Sequence, residues 1–159
     1  VDSYRKLTHL HNPVYNNFNL QLFLEKTKLL LCSELNFNRV NFSVNLQNPD
    51  MMLNADENLL SQVIINLVRN SWEALRNQDD GDIAIKAYAN DNLQTVIEVI
   101  DNGPGIPASL LDKIFVPFFT TRENGSGIGL SLSRQIMRLH GGSLTVQSVP
   151  GRTSFVIVL

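Results

Sequence analysis

The sequence predicts an α/β sandwich: a mixed, mostly antiparallel sheet with helices packed on one face. Three observations predict it. Apolar residues recur at helical spacing in separate segments before residue 80 and after residue 127. Strand-like runs come in consecutive pairs joined by tight turns, Ile83 to Ala89 with Leu93 to Asp101 and Ser143 to Val149 with Thr153 to Leu159. Strands and helices do not alternate throughout, as a doubly wound parallel sheet would require.

Residues 1–19 are polar and mixed, and Asn12-Pro13 breaks any regular element there. Leu20, Phe23, Leu24, Thr27, Leu30 and Leu31 then follow helical spacing, which predicts a helix over 20–35. Val40, Phe42, Val44 and Leu46 alternate as one face of a strand over 40–46. Asp56 opens a long helix to about Arg76, with Leu60, Ile64, Leu67 and Leu75 on its apolar stripe. A turn at Asn77 to Asp82 leads into the first strand pair, which Asn90-Asp91-Asn92 joins. A short helix over 108–113 and a loop from Phe115 to Gly127 follow. A helix from Ile128 to His140 comes next, and Pro150-Gly151 joins the closing strands.

The 159 residues carry thirteen Lys plus Arg and fifteen Asp plus Glu, for a formal net charge of −2. With 43% hydrophobic and 18% charged residues the chain is able to bury a core, which excludes a disordered polymer. No apolar run approaches the roughly 18 residues of a membrane span, and the first residues lack a signal-peptide pattern. The single cysteine, Cys32, excludes an internal disulfide and a Cys-rich zinc site. Mild acidity provides no electrostatic footprint for nucleic acid. The expectation is one soluble, cytoplasmic domain without direct membrane contact.

Eight of the nine glycines lie between Gly103 and Gly151, so recognition is expected after a scaffold of about a hundred residues. Asn66 and Asn70 are spaced to put both amides on one helix face, at the edge of the apolar stripe that Leu59 and Val63 continue. Amide oxygens are hard neutral ligands suited to Mg²⁺. The plainer alternative is two amides that satisfy each other or nearby backbone.

In the run ending Asp101-Asn102-Gly103-Pro104-Gly105-Ile106, Asp101 shares its strand face with Ile97 and Val99. A carboxylate on an apolar face needs a partner, which the exocyclic amine of a base would supply. Gly103 and Gly105 leave room for a flat ligand against the backbone; an ordinary Asp-Asn-Gly turn is the alternative. Gly125-Ser126-Gly127-Ile128-Gly129-Leu130 opens a helix, where free N–H groups and the dipole make an anion site. Flexible loop glycine remains the alternative. The segment neither follows a strand, as in a dinucleotide fingerprint, nor carries the G-K-[ST] of a P-loop. Between these lies Phe115-Val116-Pro117-Phe118-Phe119-Thr120-Thr121-Arg122. Its phenylalanines either pin the root of a mobile loop or belong to the core, and Arg122 is in reach of phosphate.

Taken in order, these motifs resemble the catalytic ATP-binding domain of bacterial two-component sensor histidine kinases, a Bergerat-fold family that also holds gyrase and MutL ATPase domains. The resemblance runs from about residue 20 to 159. Asn66 to Leu75 is similar to the N box, and Asp101 to Ile106 to the first glycine box. Phe115 to Thr121 is similar to the F box, and Gly125 to Leu130 to the second glycine box. Gly151 to Phe155 is similar to the terminal G-x-T-x-F strand. The F-T-T-[KR]-x-x-G form of the lid is especially similar to that of nitrogen-regulatory-type kinases.

The resemblance implies ATP and Mg²⁺ as cofactors. It implies that Asp101 binds the adenine amino group, that Thr153 supports the base through water, and that Asn66 and Asn70 hold the metal as the catalytic pair. Gly127, Gly129 and Leu130 would offer N–H groups to phosphate, and residues 119–127 would form a lid. Gly103, Gly105, Ile106, Phe119, Thr120, Thr121, Arg122, Gly125, Ser126 and Ile128 would complete the nucleotide site. The implied activity is transfer of the γ-phosphoryl group to a histidine on a separate dimerisation/phosphoacceptor domain of the same full-length protein. A response-regulator receiver domain would be the further partner, and the isolated domain a monomer. An anti-sigma-factor-like serine kinase and a non-catalytic nucleotide-binding regulatory module of the same fold are the alternatives.

Ser71 and Ser126 stand where Ala and Thr are more usual, and Glu73 stands at a position that is basic in some branches. Asn66 replaces the catalytic Glu of gyrase-type ATPases, which disfavours activation of water. His9-Leu10-His11-Asn12-Pro13 has the wrong spacing for an H box, and too few residues follow for two long acceptor helices. Residues 1–18 are therefore expected to be the end of a dimerisation/phosphoacceptor helix plus linker, and 19–159 the catalytic domain, with the acceptor histidine outside this chain. His140 reads as a helix C-terminal residue before Gly141-Gly142.

Overall fold

A computed structural model describes residues 10–122 and 125–159. The elements in chain order are β1 (Asn16–Asn19), α1 (Leu20–Glu34), β2 (Val40–Leu46), β3 (Met52–Ala55), α2 (Glu57–Ala74), β4 (Gly81–Ala89), β5 (Thr95–Asp101), α3 (Ala108–Leu111), α4 (Gly129–Leu139), β6 (Ser143–Val149) and β7 (Arg152–Val158). Five strands form one sheet in the order β2-β4-β5-β7-β6. Only β2 and β4 are parallel, and every other pair is antiparallel. Among the described residues no helix is long and apolar enough to cross a membrane.

Alternation along each strand gives the sheet one apolar face. Phe42, Ile83, Ile85, Ile97, Val99, Phe155, Ile157 and Leu144 are all buried in a single cluster with residues of α1, α2 and α4. Helix α2 contributes Leu60, Ile64 and Leu67, each fully buried. Each such side chain is worth about 1.5–3 kcal/mol of transfer free energy. Helix α1 starts where the Asn19 side chain accepts the N–H of Leu22 at 2.9 Å. Its buried side is Leu20, Phe23, Leu24, Thr27 and Leu31. Leu30, expected on that stripe, is 45% exposed, because about 100° per residue turns it away.

The sequence reading placed no strand at Asn16–Asn19 or Met52–Ala55, yet the two pair antiparallel, with Asn16 opposite Ala55 and Asn19 opposite Met52. Three of the four β1 residues are asparagine, a poor strand former, so only the distant partner makes this a strand. The expected domain boundary after residue 18 falls within β1. Residues 1–9, with His9, and residues 123–124 of the expected lid lie outside the described residues.

Where β3 meets α2, one carboxylate ties three segments together. Asp56 accepts the N–H groups of Asn58 and Leu59 at the helix start, each at 3.0 Å, and that of Val14 at 2.9 Å. The His11 imidazole lies 3.7 Å away. The Asp56 N–H in turn donates to His140 Nε2 at 3.1 Å, so His140 carries its hydrogen on Nδ1 and donates it to Ile136 O at 2.9 Å. His140 thus closes α4 as its C-cap, as its place before Gly141-Gly142 suggests, and also joins α4 to the α2 N-terminus. Burial of Asp56 raises its pKa, but the three N–H donors and His11 outweigh that and hold the carboxyl below its usual value.

Asp56→Ala should lower stability by about 1–2 kcal/mol, several degrees in Tm, measured by thermal unfolding at pH 7. Because the folded pKa is depressed, that stabilisation is complete above the unfolded carboxylate pKa near 4. It is lost as pH falls through the lower folded value. The gap between wild type and variant should therefore close below about pH 4. A gap that persists unchanged in acid would show that the Asp56 charge contributes nothing.

Candidate functional site

The inner face of the sheet and the C-terminal half of α2 wall a cleft of about 980 Å³. Of the site residues expected from sequence, all but Gly103 and Ile128 line it. Ile128 is 4% exposed and packs into the core, while Gly103 lies behind the wall, where an added Cβ would sit 2.9 Å from Asp101 Oδ1.

Asp101 is the floor. It ends β5 beside Ile97 and Val99 on the apolar face and is only 3% exposed. Its Oδ1 accepts the N–H of Gly103 at 3.0 Å. Burial pushes its pKa above the usual carboxylate value, and the neighbouring Ser71 hydroxyl and the Gly103 N–H offset only part of this. Ser71 is itself buried and completes no hydrogen bond of good geometry, so Gly103 is the firm donor. A buried carboxylate with one firm donor has acceptor capacity left for a ligand N–H.

A polar chain runs up from this floor. Thr153, opposite Asp101 in the β5–β7 register, is 2.8 Å from Ser148 Oγ, which accepts the N–H of Ile106 at 2.8 Å. Gly105 has φ +85°, and a Cβ there would lie 2.6 Å from Val149 O. Glycine is thus required for this loop to press against the β6–β7 turn, where Gly151 N–H donates to Gly103 O at 3.0 Å. Ser148 escaped the sequence reading, because an isolated serine on a strand carries no motif signal.

At the other end, α4 begins at Gly129 with no side-chain cap on its first N–H groups, an arrangement suited to an anion. Asn66 packs against this start. Its Nδ2 donates to Ser133 Oγ at 3.0 Å, and a Cβ on Gly129 would fall 2.2 Å from its Oδ1. A side chain at 129 would therefore force the Asn66 amide to shift, whereas the backbone angles of Gly129 itself make no demand for glycine. Asn70 does not bond Asn66, the simpler alternative for this pair. Its Oδ1 accepts from Arg122 Nη1 at 3.0 Å, and its backbone O accepts from Arg122 Nη2 at 3.1 Å.

The phenylalanines of the loop root divide three ways. Phe115 is buried under the Arg134 guanidinium, 3.4 Å from its ring centroid. Phe119 is half-buried at the cleft wall. Phe118 is 57% exposed and sits at φ +67°, with its N–H donating to Gly127 O at 2.9 Å. A Cβ on Gly127 would meet the Phe118 backbone at 2.5 Å, so the two backbones form a clamp at the loop's base. Leu110 and Ile114, which no motif marked, complete the apolar wall below it.

The chain is 37% identical over 146 residues to the signal transduction histidine-protein kinase AtoS of Escherichia coli K12, covering 91% of this chain and 24% of AtoS. It is 40% identical over 123 residues to the sensory histidine kinase/phosphatase NtrB of Rhodobacter capsulatus, covering 70% of this chain and 34% of NtrB. It thus spans about a quarter to a third of these curated relatives. It matches the nucleotide-free catalytic domain of the histidine kinase ThkA with a TM-score of 0.82 at 31% identity, over 92% of this chain and 95% of that one. ThkA has also been solved in complex with the response regulator protein TrrA, where the match has a TM-score of 0.76 at 29% identity over 92% of this chain and 42% of that one. The family model for histidine kinase-, DNA gyrase B- and HSP90-like ATPases matches residues 55–159. The mixed sheet, the cleft between α2 and α4 and these matches agree: the chain belongs to that ATPase family, as a histidine kinase catalytic domain.

Proposed function

We propose that this domain binds ATP with Mg²⁺ in the cleft and presents the γ-phosphoryl group to a histidine of a separate dimerisation/phosphoacceptor domain, from which a response-regulator receiver domain takes it. One observation carries the reading: a single cleft has a buried carboxylate with free acceptor capacity as its floor and an uncapped helix start in its wall. The first suits the exocyclic amine of adenine and the second the phosphates.

Asn70 Oδ1 is aimed into the cleft and already accepts from a cationic group, so its chemistry fits a hard cation. Among the described residues no group of three or more His, Cys, Asp or Glu could hold a metal. Amide oxygens of Asn70 and Asn66 would therefore share Mg²⁺ with the nucleotide's own phosphates, as this ion prefers. Bound there, Mg²⁺ would neutralise charge on the phosphate oxygens. The chain's own residues position the rest. Asp101 accepts the base amine, the Thr153–Ser148 pair holds the base edge, and the first N–H groups of α4 hold the phosphates. The loop from Phe119 to Gly127 closes over them.

Neither described histidine is placed as acceptor. His140 uses both ring nitrogens at the far end of α4, whose 11 residues span roughly 16 Å, and His11 lies beside Asp56 at that same end. In-line transfer needs reacting atoms within about 3–3.5 Å.

Asp101→Asn should lower ADP affinity about ten- to more than a hundredfold by titration calorimetry, because a charge-assisted acceptor is replaced by an amide. Its raised folded pKa makes ionised Asp101 a cost to folding at neutral pH, so the same variant should melt no lower than wild type at pH 7. GDP, with an oxygen where adenine has its amine, should bind wild type far more weakly than ADP. Equal affinities would refute the base assignment. Asn70→Ala should weaken Mg·ADP binding while sparing metal-free ADP; an equal loss in both would remove Asn70 from the metal site. Finally, the chain alone should take no label from γ-labelled ATP, whereas adding an acceptor domain with its histidine should give an acid-labile phosphoprotein. Acid-stable label would favour the serine-kinase alternative instead.

A further inference from the structure

Arg122 sits in the middle of the loop between Phe118 and Gly127, yet its guanidinium forks onto one residue 52 positions away, giving Nη1 to Asn70 Oδ1 and Nη2 to Asn70 O. The other two arginines bordering the cleft face carboxylates, Arg69 with Glu34 and Arg76 with Glu73. Among the described residues Arg122 alone of these three places its charge on a neutral amide. A short turn presents it there: Arg122 N–H donates to Thr120 Oγ1 at 3.0 Å, and Gly125 N–H donates to Arg122 O at 3.2 Å. The contact is therefore built by the loop's own hydrogen bonds rather than by a stray side chain.

We propose that Arg122 is a tethered cation that occupies the metal-ligand oxygen of Asn70 while the cleft is free of nucleotide, so that binding of a metal–nucleotide complex and displacement of the guanidinium from Asn70 are one exchange. This rests on the reading of Asn70 as a metal ligand given above. An amide oxygen that coordinates a divalent ion at about 2.1 Å cannot also keep a guanidinium at hydrogen-bond distance, because two cations would then share one oxygen at close range. Nucleotide without metal puts no cation on Asn70, so it leaves the latch in place. The latch thus sets the arginine against the metal for one oxygen, and it lowers the affinity for metal-loaded nucleotide relative to metal-free nucleotide.

Two measurements on this chain test the exchange. The first is hydrogen exchange of the loop without nucleotide or metal. Arg122→Gln and Asn70→Ala should each speed exchange of the Arg122 and Gly125 amides roughly 3- to 10-fold, the worth of about one hydrogen bond. The double variant should be no faster than Arg122→Gln alone, since Asn70→Ala removes only one of the two bonds that Arg122→Gln removes. The second is ADP affinity by calorimetry with and without Mg²⁺. Removing a cation that competes with the metal should raise the ratio of metal-loaded to metal-free affinity in Arg122→Gln by roughly 3- to 10-fold. A mere phosphate contact would lower both affinities by one factor and leave the ratio unchanged, and that result overturns the latch. Unchanged loop exchange in both variants overturns it as well. Failure of wild type to bind ADP under either condition would instead overturn the nucleotide reading itself, and the latch with it.

Discussion

Helix α2 buries Leu60, Ile64 and Leu67 completely against the sheet, and that burial decides where everything else in the cleft can stand. With 3.6 residues per turn, locking this stripe leaves α2 no rotational freedom, so Asn66 and Asn70 are held at the stripe's edge, one turn apart. Rotating the helix by one residue would carry the amides into the core or out into water and would expose several fully buried side chains. Asn66 then sets the next constraint. Its amide comes so close to the start of α4 that a side chain at position 129 would push it aside. The apolar core, the two cleft amides and the uncapped start of α4 are thus placed together.

The floor of the cleft works on the opposite principle. Asp101 lies on the same apolar sheet face as Ile97 and Val99, and its carboxylate is deprived of water there. That placement weakens the folded state at neutral pH and at the same time keeps an acceptor desolvated and ready for a ligand donor. Asp56 shows the contrast within one chain. It is equally buried, but three backbone N–H groups satisfy it, and its charge strengthens the fold. The two carboxyl groups therefore shift in opposite directions, Asp56 down, where three N–H donors outweigh burial, and Asp101 up, where burial outweighs its one firm donor. The one short of donors is the one in the cleft.

The loop over the cleft is fastened at two kinds of point. Its base is a backbone clamp, in which Phe118 and Gly127 both take positive φ and touch. Its middle is held by side-chain bonds from Arg122 to Asn70, which water and ligands can replace.

Much of this was legible in the chain alone. The period of the apolar residues placed α1, α2 and α4 to within about two residues, and the alternation of β2 and β5 showed which face carries Asp101. The glycine motifs and paired asparagines, read in order, pointed to a nucleotide cleft, because short motifs are local in sequence and their chemistry depends on residue type. What the sequence could not reveal depends on partners far apart in the chain. Strand β1 exists only because β3 pairs with it, and Leu30 faces outward because the helix's rotation is set by its neighbours. Ser133 and Ser148 acquire roles only where Asn66 and Thr153 arrive beside them. The division of the three phenylalanines among core, cleft and solvent follows from a positive φ at Phe118 that no residue preference signals. Arg122 reaches Asn70 across 52 positions by the same rule. Local periodicity and residue chemistry are written in the chain, whereas the partner of a polar side chain is decided only when packing brings distant segments together.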